Sequence, residues 1–282
     1  MTGIAKNIFP VSEGILSVCL FVLKVSHHFV NLQDTYQTNN IYIPALARPD
    51  RLLEEQYSGS RHRENRSYTD EEVGMLPDIG EGHTHYREWL VRRRSCRRLT
   101  RYLTFKKKEV SILEVGCGNG WLSSQLAMVP GSRVVGLDLN FIGLQQAARV
   151  FGYQPNLKFM YGDFRSDILQ ELTFDIIVFA SSLQYFPSLR ETLERALQQL
   201  SPDGEVHILD TRFYRPEELE TAHKVTAVYY TSLGMPEMAK HVFHPCSREL
   251  EGFSHRYFYN PRSFWNRLFA RRKGWPWICV RR

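Results

Sequence analysis

The chain has 282 residues, 43% of them hydrophobic and 13% aromatic, with a formal net charge of +6. That is enough apolar material for one generous domain, or one domain plus an extension, and it excludes global disorder. Its five cysteines are scattered, with no CxxC or Cys/His spacing. This excludes a disulfide framework and a structural zinc site and points to a reducing, intracellular setting.

In chain order, Ile15–Leu23 is the first apolar run, and its nine residues fall far short of a membrane span. No small-x-small cleavage site follows it. A buried or partly disordered element, a cytoplasmic location and no membrane span are the expectation. Residues 31–82 are polar and turn-rich, with PALARPDR, YSGSRHRENRS and LPDIGEG as breakers. They predict an irregular N-terminal extension, 1–82, whose Ile41, Ile43, Leu52 and Leu53 pack on a neighbouring domain, 83–282.

Trp89, Leu90, Cys96, Leu99, Tyr102 and Leu103 share a helical stripe over Tyr86–Leu103. Basic charge is concentrated there: between Arg87 and Lys108, ten Arg and Lys face the single acid Glu88. From Ser111 the chain alternates strand and helix. Strands are predicted at Ser111–Val115, Arg133–Asp138, Leu157–Tyr161, Phe174–Ala180 and Glu205–Leu209. Helices are predicted at Trp121–Met128, after the cap Asn140, after the capping box Ser188/Glu191, and from Pro216 to about Leu233. This βαβα order implies an α/β fold with a mainly parallel sheet and helices on both faces. Ligands of such sheets bind beyond the carboxyl ends of the strands, where Gly116, Asp138, Asp163, Ser181 and Asp210 fall.

The stretch ILEVGCGNGW places Glu114 two residues before Gly116, with Gly118 and Gly120 following. So little Cβ lets the loop fold tightly over the strand end and bring bare backbone against a ligand. A dinucleotide fingerprint would be GxGxxG, whose helix N-terminus receives a pyrophosphate. Here Trp121 follows the last glycine, and Glu114 would repel that anion but accept from an ammonium. Asp138 stands where an acid takes two ribose hydroxyls. Asp163, in YGDF, is placed to accept from an exocyclic amine of adenine, with Phe164 or its neighbours against the ring. The ligand therefore carries adenine, a ribose with free hydroxyls and a cationic amino-acid end, without phosphate. Competing readings are Asp163 as a helix cap, Phe164 as core and Cys117 as merely a small loop residue.

That ligand is S-adenosylmethionine. In order and spacing, ILEVGCGNGW, VVGLDLN, MYGDF, FDIIVFASSLQYF and LSPDGEVHILD resemble motifs of the class I, Rossmann-like S-adenosylmethionine-dependent methyltransferases, from about Tyr86 onward. The resemblance implies a seven-stranded sheet whose last strand, Trp275–Val280, is antiparallel. It implies cofactor contacts from Glu114, Gly116, Gly118, Gly120, Asp138, Leu139, Asp163, Phe164 and Ser181.

Methyl transfer from a sulfonium needs alignment of the acceptor and, for O–H or N–H⁺ acceptors, removal of a proton. The residues for this follow the fourth and fifth strands and the helix after them. Tyr185, Asp210 and His244 are the catalytic candidates, with Gln184 a substrate contact and with the N-terminal extension and residues 213–261 covering the acceptor pocket. His207, mid-strand, reads mainly as core, and no metal site is expected. No [DN]PP[YF] or Pro-Cys pair follows the fourth strand, which favours a small-molecule acceptor. The arginine helix reads as a solvated face, as an anchor for an anion through Tyr86, Trp89 and Arg93, or as a nucleic-acid contact. An RNA or protein methyltransferase and a non-catalytic cofactor-binding subunit are the alternatives. The oligomeric state is not encoded in these features.

Overall fold

Parallel strands covered on both faces are built from near-continuous apolar runs, and the centre of this sheet follows that rule. The computed structural model describes residues 22–25, 28–31, 35–38, 41–44, 51–106, 108–263, 266 and 274–282. In chain order, β1 (Val22–Val25) and β2 (His28–Asn31) pair as a separate antiparallel ribbon. There follow β3 (Thr35–Thr38), β4 (Ile41–Pro44), α1 (Arg51–Arg63), α2 (Asp70–Met75) and α3 (Tyr86–Lys106). The central units are β5 (Val110–Val115), α4 (Trp121–Ala127), β6 (Ser132–Asp138), α5 (Phe141–Phe151), β7 (Leu157–Tyr161) and β8 (Phe174–Ala180). Then come α6 (Leu189–Gln198), β9 (Leu200–Leu209), α7 (Leu219–Ser232), β10 (Ser254–Tyr259) and β11 (Trp277–Arg281).

One sheet of nine strands has the order β10-β11-β9-β8-β5-β6-β7-β4-β3. β5 through β9 are mutually parallel, while β11 runs antiparallel to β9 and β10 antiparallel to β11. Every residue of β5 is buried, and its consecutive Ile112 and Leu113 enter opposite layers. Leu99 of α3, Leu126 of α4 and Leu144 of α5 pack on one face; Leu193 of α6 packs on the other. The chain order reverses at β5, which has β6 on one side and β8 on the other. Such a switch point opens a crevice beyond the strand ends.

The α/β class, the mainly parallel sheet and the antiparallel last strand hold. Three details differ from the expectation. The predicted turn 201–204 lies within β9: Phe174 pairs with Leu200 and Ile176 with Glu205, so these residues loop out between two stretches of ladder. The sheet has nine strands, not seven, because β4 adds parallel to β7 and carries β3 beside it. The segment read as irregular also holds α1 and α2. Ile41 is fully buried in the core and Ile43 packs against it, whereas Leu52 is exposed. Nothing is described of the Leu53 side chain, and Ile15–Leu23 lies outside the described residues except for Val22 and Leu23.

YSGS, a breaker on local grounds, is helical in α1 because tertiary contacts outweigh propensity. A Cβ at Gly59 would come within 3.2 Å of the Met235 side chain, so this glycine permits close packing against the segment after α7. The Glu54 carboxylate accepts from the backbone N–H groups of Phe141 and Ile142, pinning α1 to the first turn of α5. No described helix is long and apolar enough to cross a membrane.

Candidate functional site

The loop after β5 turns through three left-handed glycines, Gly116 (φ 77°), Gly118 (φ 56°) and Gly120 (φ 75°). A Cβ at Gly116 would lie 2.5 Å from that of Ser182, and one at Gly120 would lie 2.7 Å from Ala147 and the Phe159 ring. A Cβ at Gly118 would meet nothing within 4 Å, so its bare Cα faces open space. Leu137 O accepts from Gly116 N–H (2.8 Å) and Cys117 N–H (3.1 Å), which ties the loop to the end of β6. The Asp138 carboxylate accepts one bond at each oxygen, from Gly118 N–H and Asn140 N–H, both at 2.7 Å. Each oxygen keeps a second acceptor position. Burial raises the Asp138 pKa against the lowering effect of these backbone donors.

Glu114 lies under the loop, 2% exposed, and accepts from the Ser123 hydroxyl. Burial pushes its carboxyl up to about 8; the Ser123 hydrogen bond opposes the shift and the charge of Asp138 adds to it. Above the loop is a cavity of about 330 Å³. Glu114, Gly116 and Gly118 belong to one side, with Tyr57 and Arg61 of α1 and Arg92 of α3 among the residues of the other. Arg92 donates to Glu88 (2.9 Å) and to Ser181 Oγ (3.2 Å), while Arg66 holds Glu88 through both carboxylate oxygens. Burial alone would raise Glu88, but Arg66 and Arg92 outweigh it and hold its carboxyl at about 2.

A family profile described as a methyltransferase domain matches residues 106–257, just over half the chain. The chain belongs to this family. It is similar to malonyl-[acyl-carrier protein] O-methyltransferase of Halalkalibacterium halodurans, with 28% identity over 40% of this chain and 45% of that one. It is also similar to demethylmenaquinone methyltransferase of Chlorobaculum tepidum, with 24% identity over 47% of this chain and 52% of the relative. The chain thus spans about half the length of these curated relatives. Among solved structures, magnesium protoporphyrin IX methyltransferase from Synechocystis with bound S-adenosylhomocysteine superimposes with a TM-score of 0.52 at 15% identity. That match covers 82% of this chain and 98% of the other, and at this identity the likeness is one of fold.

Within the methyltransferase domain, the cavity brings together Glu114, Gly116, Gly118, Ser181 and Tyr185. Asp138 and Leu139 are not among the residues that line it; Asp138 meets the loop through its bond to Gly118 N–H, and Leu139 follows it, half-buried. Gly120 is internal, closing the loop against α5 and β7. Asp163 stands apart: its carboxylate takes Arg165 Nη2 (2.6 Å) and the Arg165 backbone N–H (2.8 Å). Phe164 is core, packed edge-on against Phe179 at 5.5 Å.

Two of the three catalytic candidates are off the cavity wall. Asp210, at the end of β9, is buried beneath α3 and accepts from Ser95 Oγ at 2.6 Å. The His244 Nε2 lies 2.8 Å from Thr226 Oγ1, with the His223 ring centroid 4.3 Å away. Burial lowers the His244 pKa, and the neighbouring His223 and Arg212 lower it further. His207 is in the core as expected. Trp277 Nε1–H donates to its Nδ1 (3.1 Å), so Nε2 carries the proton toward Glu205 (3.2 Å).

Of the two segments expected over the pocket, the N-terminal extension contributes α1 to the cavity wall, with Gly59 against Met235, whereas no described residue of 213–261 lines it. Arg93 points away, to Asp78 at 2.8 Å, and the arginine that α3 contributes to the cavity wall is Arg92. Tyr57, Arg61, Arg66 and Tyr68 line the cavity without a sequence motif that singles them out. Their only signal was Tyr57 and Arg61 at i, i+4, within a stretch that reads locally as turn.

Proposed function

We propose that this chain transfers the methyl group of S-adenosylmethionine to a small-molecule acceptor. The observation that carries the reading is the Asp138 carboxylate, fixed by Gly118 N–H with one acceptor position left on each oxygen, beside a cavity floored by bare glycine backbone. The residues fit the group. Asp138 can take the two ribose hydroxyls, Gly118 offers backbone approach without a Cβ, and Glu114 can take the ammonium of the amino-acid end. Arg92, steadied by Glu88 and touching Ser181, is the cation for the carboxylate of that end. Asp163, Leu139 and Phe164 belong in this proposal to the adenine side, Phe164 as packing behind it.

When bound, the cofactor supplies an activated sulfonium methyl group. The chain holds the donor by the loop and Asp138, places the acceptor against it from the Tyr57, Gln184 and Tyr185 side, and excludes water with α1. Tyr185 is the catalytic candidate on the wall; Asp210 and His244 would act on the shape of their surroundings. The names of the relatives, demethylmenaquinone methyltransferase among them, support a small acceptor over a macromolecule. The cytoplasm remains our proposed location. Calorimetric titration tests the reading: S-adenosylmethionine binds and NAD⁺ does not. Binding of NAD⁺ with no binding of S-adenosylmethionine would replace it.

Glu114 gives this reading a pH signature. Its carboxyl is mostly protonated at neutral pH, and an ammonium ligand favours the ionised form, so binding releases a proton. Affinity for S-adenosylhomocysteine therefore rises between pH 6 and 7.5 by roughly tenfold. Glu114→Gln flattens the profile. Calorimetry in two buffers of different ionisation enthalpy measures the released proton directly.

A further inference from the structure

Four guanidiniums line the cavity, and three are committed. Arg66 is clamped by Glu88, Arg149 by both oxygens of Asp70, and Arg92 by Glu88 and Ser181. Arg61 is different. Its one hydrogen bond among the described residues runs from Nη1 to Glu64 at 3.3 Å. Glu64 is itself shared with Arg66 at 3.4 Å and with the Tyr229 hydroxyl at 2.8 Å. An Arg side chain has five N–H donors, so most of those on Arg61 have no acceptor among the described residues.

Two phenols stand beside it. Tyr57 and Tyr185 meet edge-on with ring centroids 5.5 Å apart, and the Arg61 guanidinium carbon is 5.9 Å from the Tyr57 centroid. All three line the same cavity, and neither hydroxyl has a hydrogen-bond partner among the described residues. Burial pushes both phenol pKa values up, so both stay protonated donors. Glu88 is taken by Arg66 and Arg92, whereas Arg61 has only a share of Glu64.

A planar fork of cationic N–H donors with two O–H donors alongside matches a carboxylate, which is planar, monoanionic and has about four acceptor positions. We propose that the methyl acceptor is a carboxylic acid, bound as its carboxylate by Arg61, Tyr57 and Tyr185. The inference rests on the methyl-transfer reading, which assigns Arg92 to the donor and leaves Arg61 to the acceptor.

The test uses the full chain saturated with S-adenosylhomocysteine, with hexanoate, benzoate and indole-3-acetate as probes, each beside its amide, followed by ligand-observed NMR. At least one acid binds, and its amide binds roughly tenfold more weakly or worse. Arg61→Gln lowers the affinity for that acid by roughly tenfold, and Tyr57→Phe and Tyr185→Phe lower it by smaller factors, while S-adenosylhomocysteine affinity moves by less than about twofold. The proposal is overturned if no acid binds, if amides match acids, if methyl phosphate binds more tightly than every acid, or if Arg61→Gln weakens S-adenosylhomocysteine instead of the acid. Failure of S-adenosylhomocysteine itself to bind would sink the donor reading. The acids are then titrated against the protein alone, and the same comparison with Arg61→Gln decides.

Discussion

Asp138→Ala weakens S-adenosylhomocysteine binding by about 2–4 kcal/mol, the scale of two hydrogen bonds to a charged acceptor. The same substitution leaves Gly118 N–H and Asn140 N–H without their 2.7 Å acceptor, so the loop keeps only its Leu137 bonds to β6. Each orphaned donor costs about 1–3 kcal/mol where water cannot replace the carboxylate. Asp138→Asn separates the two effects, since its amide oxygen can keep one backbone donor but its NH₂ cannot accept from a ribose hydroxyl. Calorimetry with thermal melts measures both quantities. Unchanged affinity in Asp138→Ala would mean that the ribose is bound elsewhere.

Gly120→Ala and Gly118→Ala have opposite signatures although both glycines are left-handed. At Gly120 a Cβ would lie 2.7 Å from Ala147 and Phe159, both in the packed core, and neither can retreat without opening it. Overpacking adds about 1–3 kcal/mol to a left-handed penalty of about 1–2 kcal/mol. For a chain of this size the melting temperature then falls by about 5–15 °C. Gly118→Ala meets no atom and carries only the backbone penalty, about 1–2 kcal/mol. Its methyl group intrudes on the cavity floor, so the loss appears in cofactor affinity. A larger destabilisation in Gly118→Ala than in Gly120→Ala would contradict this account of the loop.

These two glycines also mark what local sequence can and cannot report. The alternation from β5 to β9 was legible because strands buried on both faces are apolar throughout. Leu157–Tyr161 and Phe174–Ala180 have the predicted bounds, and Asn140 caps α5 through Gly143 N–H at 3.1 Å. The family resemblance supplied the antiparallel β11. The N-terminal extension is legible as a cover, but its helical form and the side chains it brings to the cavity are not. α1 contains Ser58, Gly59 and Ser60, and what holds it helical lies far along the chain: Phe141 for Glu54, Tyr185 for Tyr57 and Met235 for Gly59. No local period encodes such contacts. Asp210 illustrates the same limit from the other side. Its position at a strand end was read correctly, but α3 places Ser95 over it and closes it off from the cavity.

The central claim is that the glycine loop and Asp138 hold S-adenosylmethionine. A crystal structure with S-adenosylhomocysteine tests it most directly. The two ribose hydroxyls are expected on the Asp138 carboxylate, the amino-acid end over Gly116–Gly118 and its ammonium toward Glu114. A ligand bound away from this loop, or a ribose that does not touch Asp138, would contradict it.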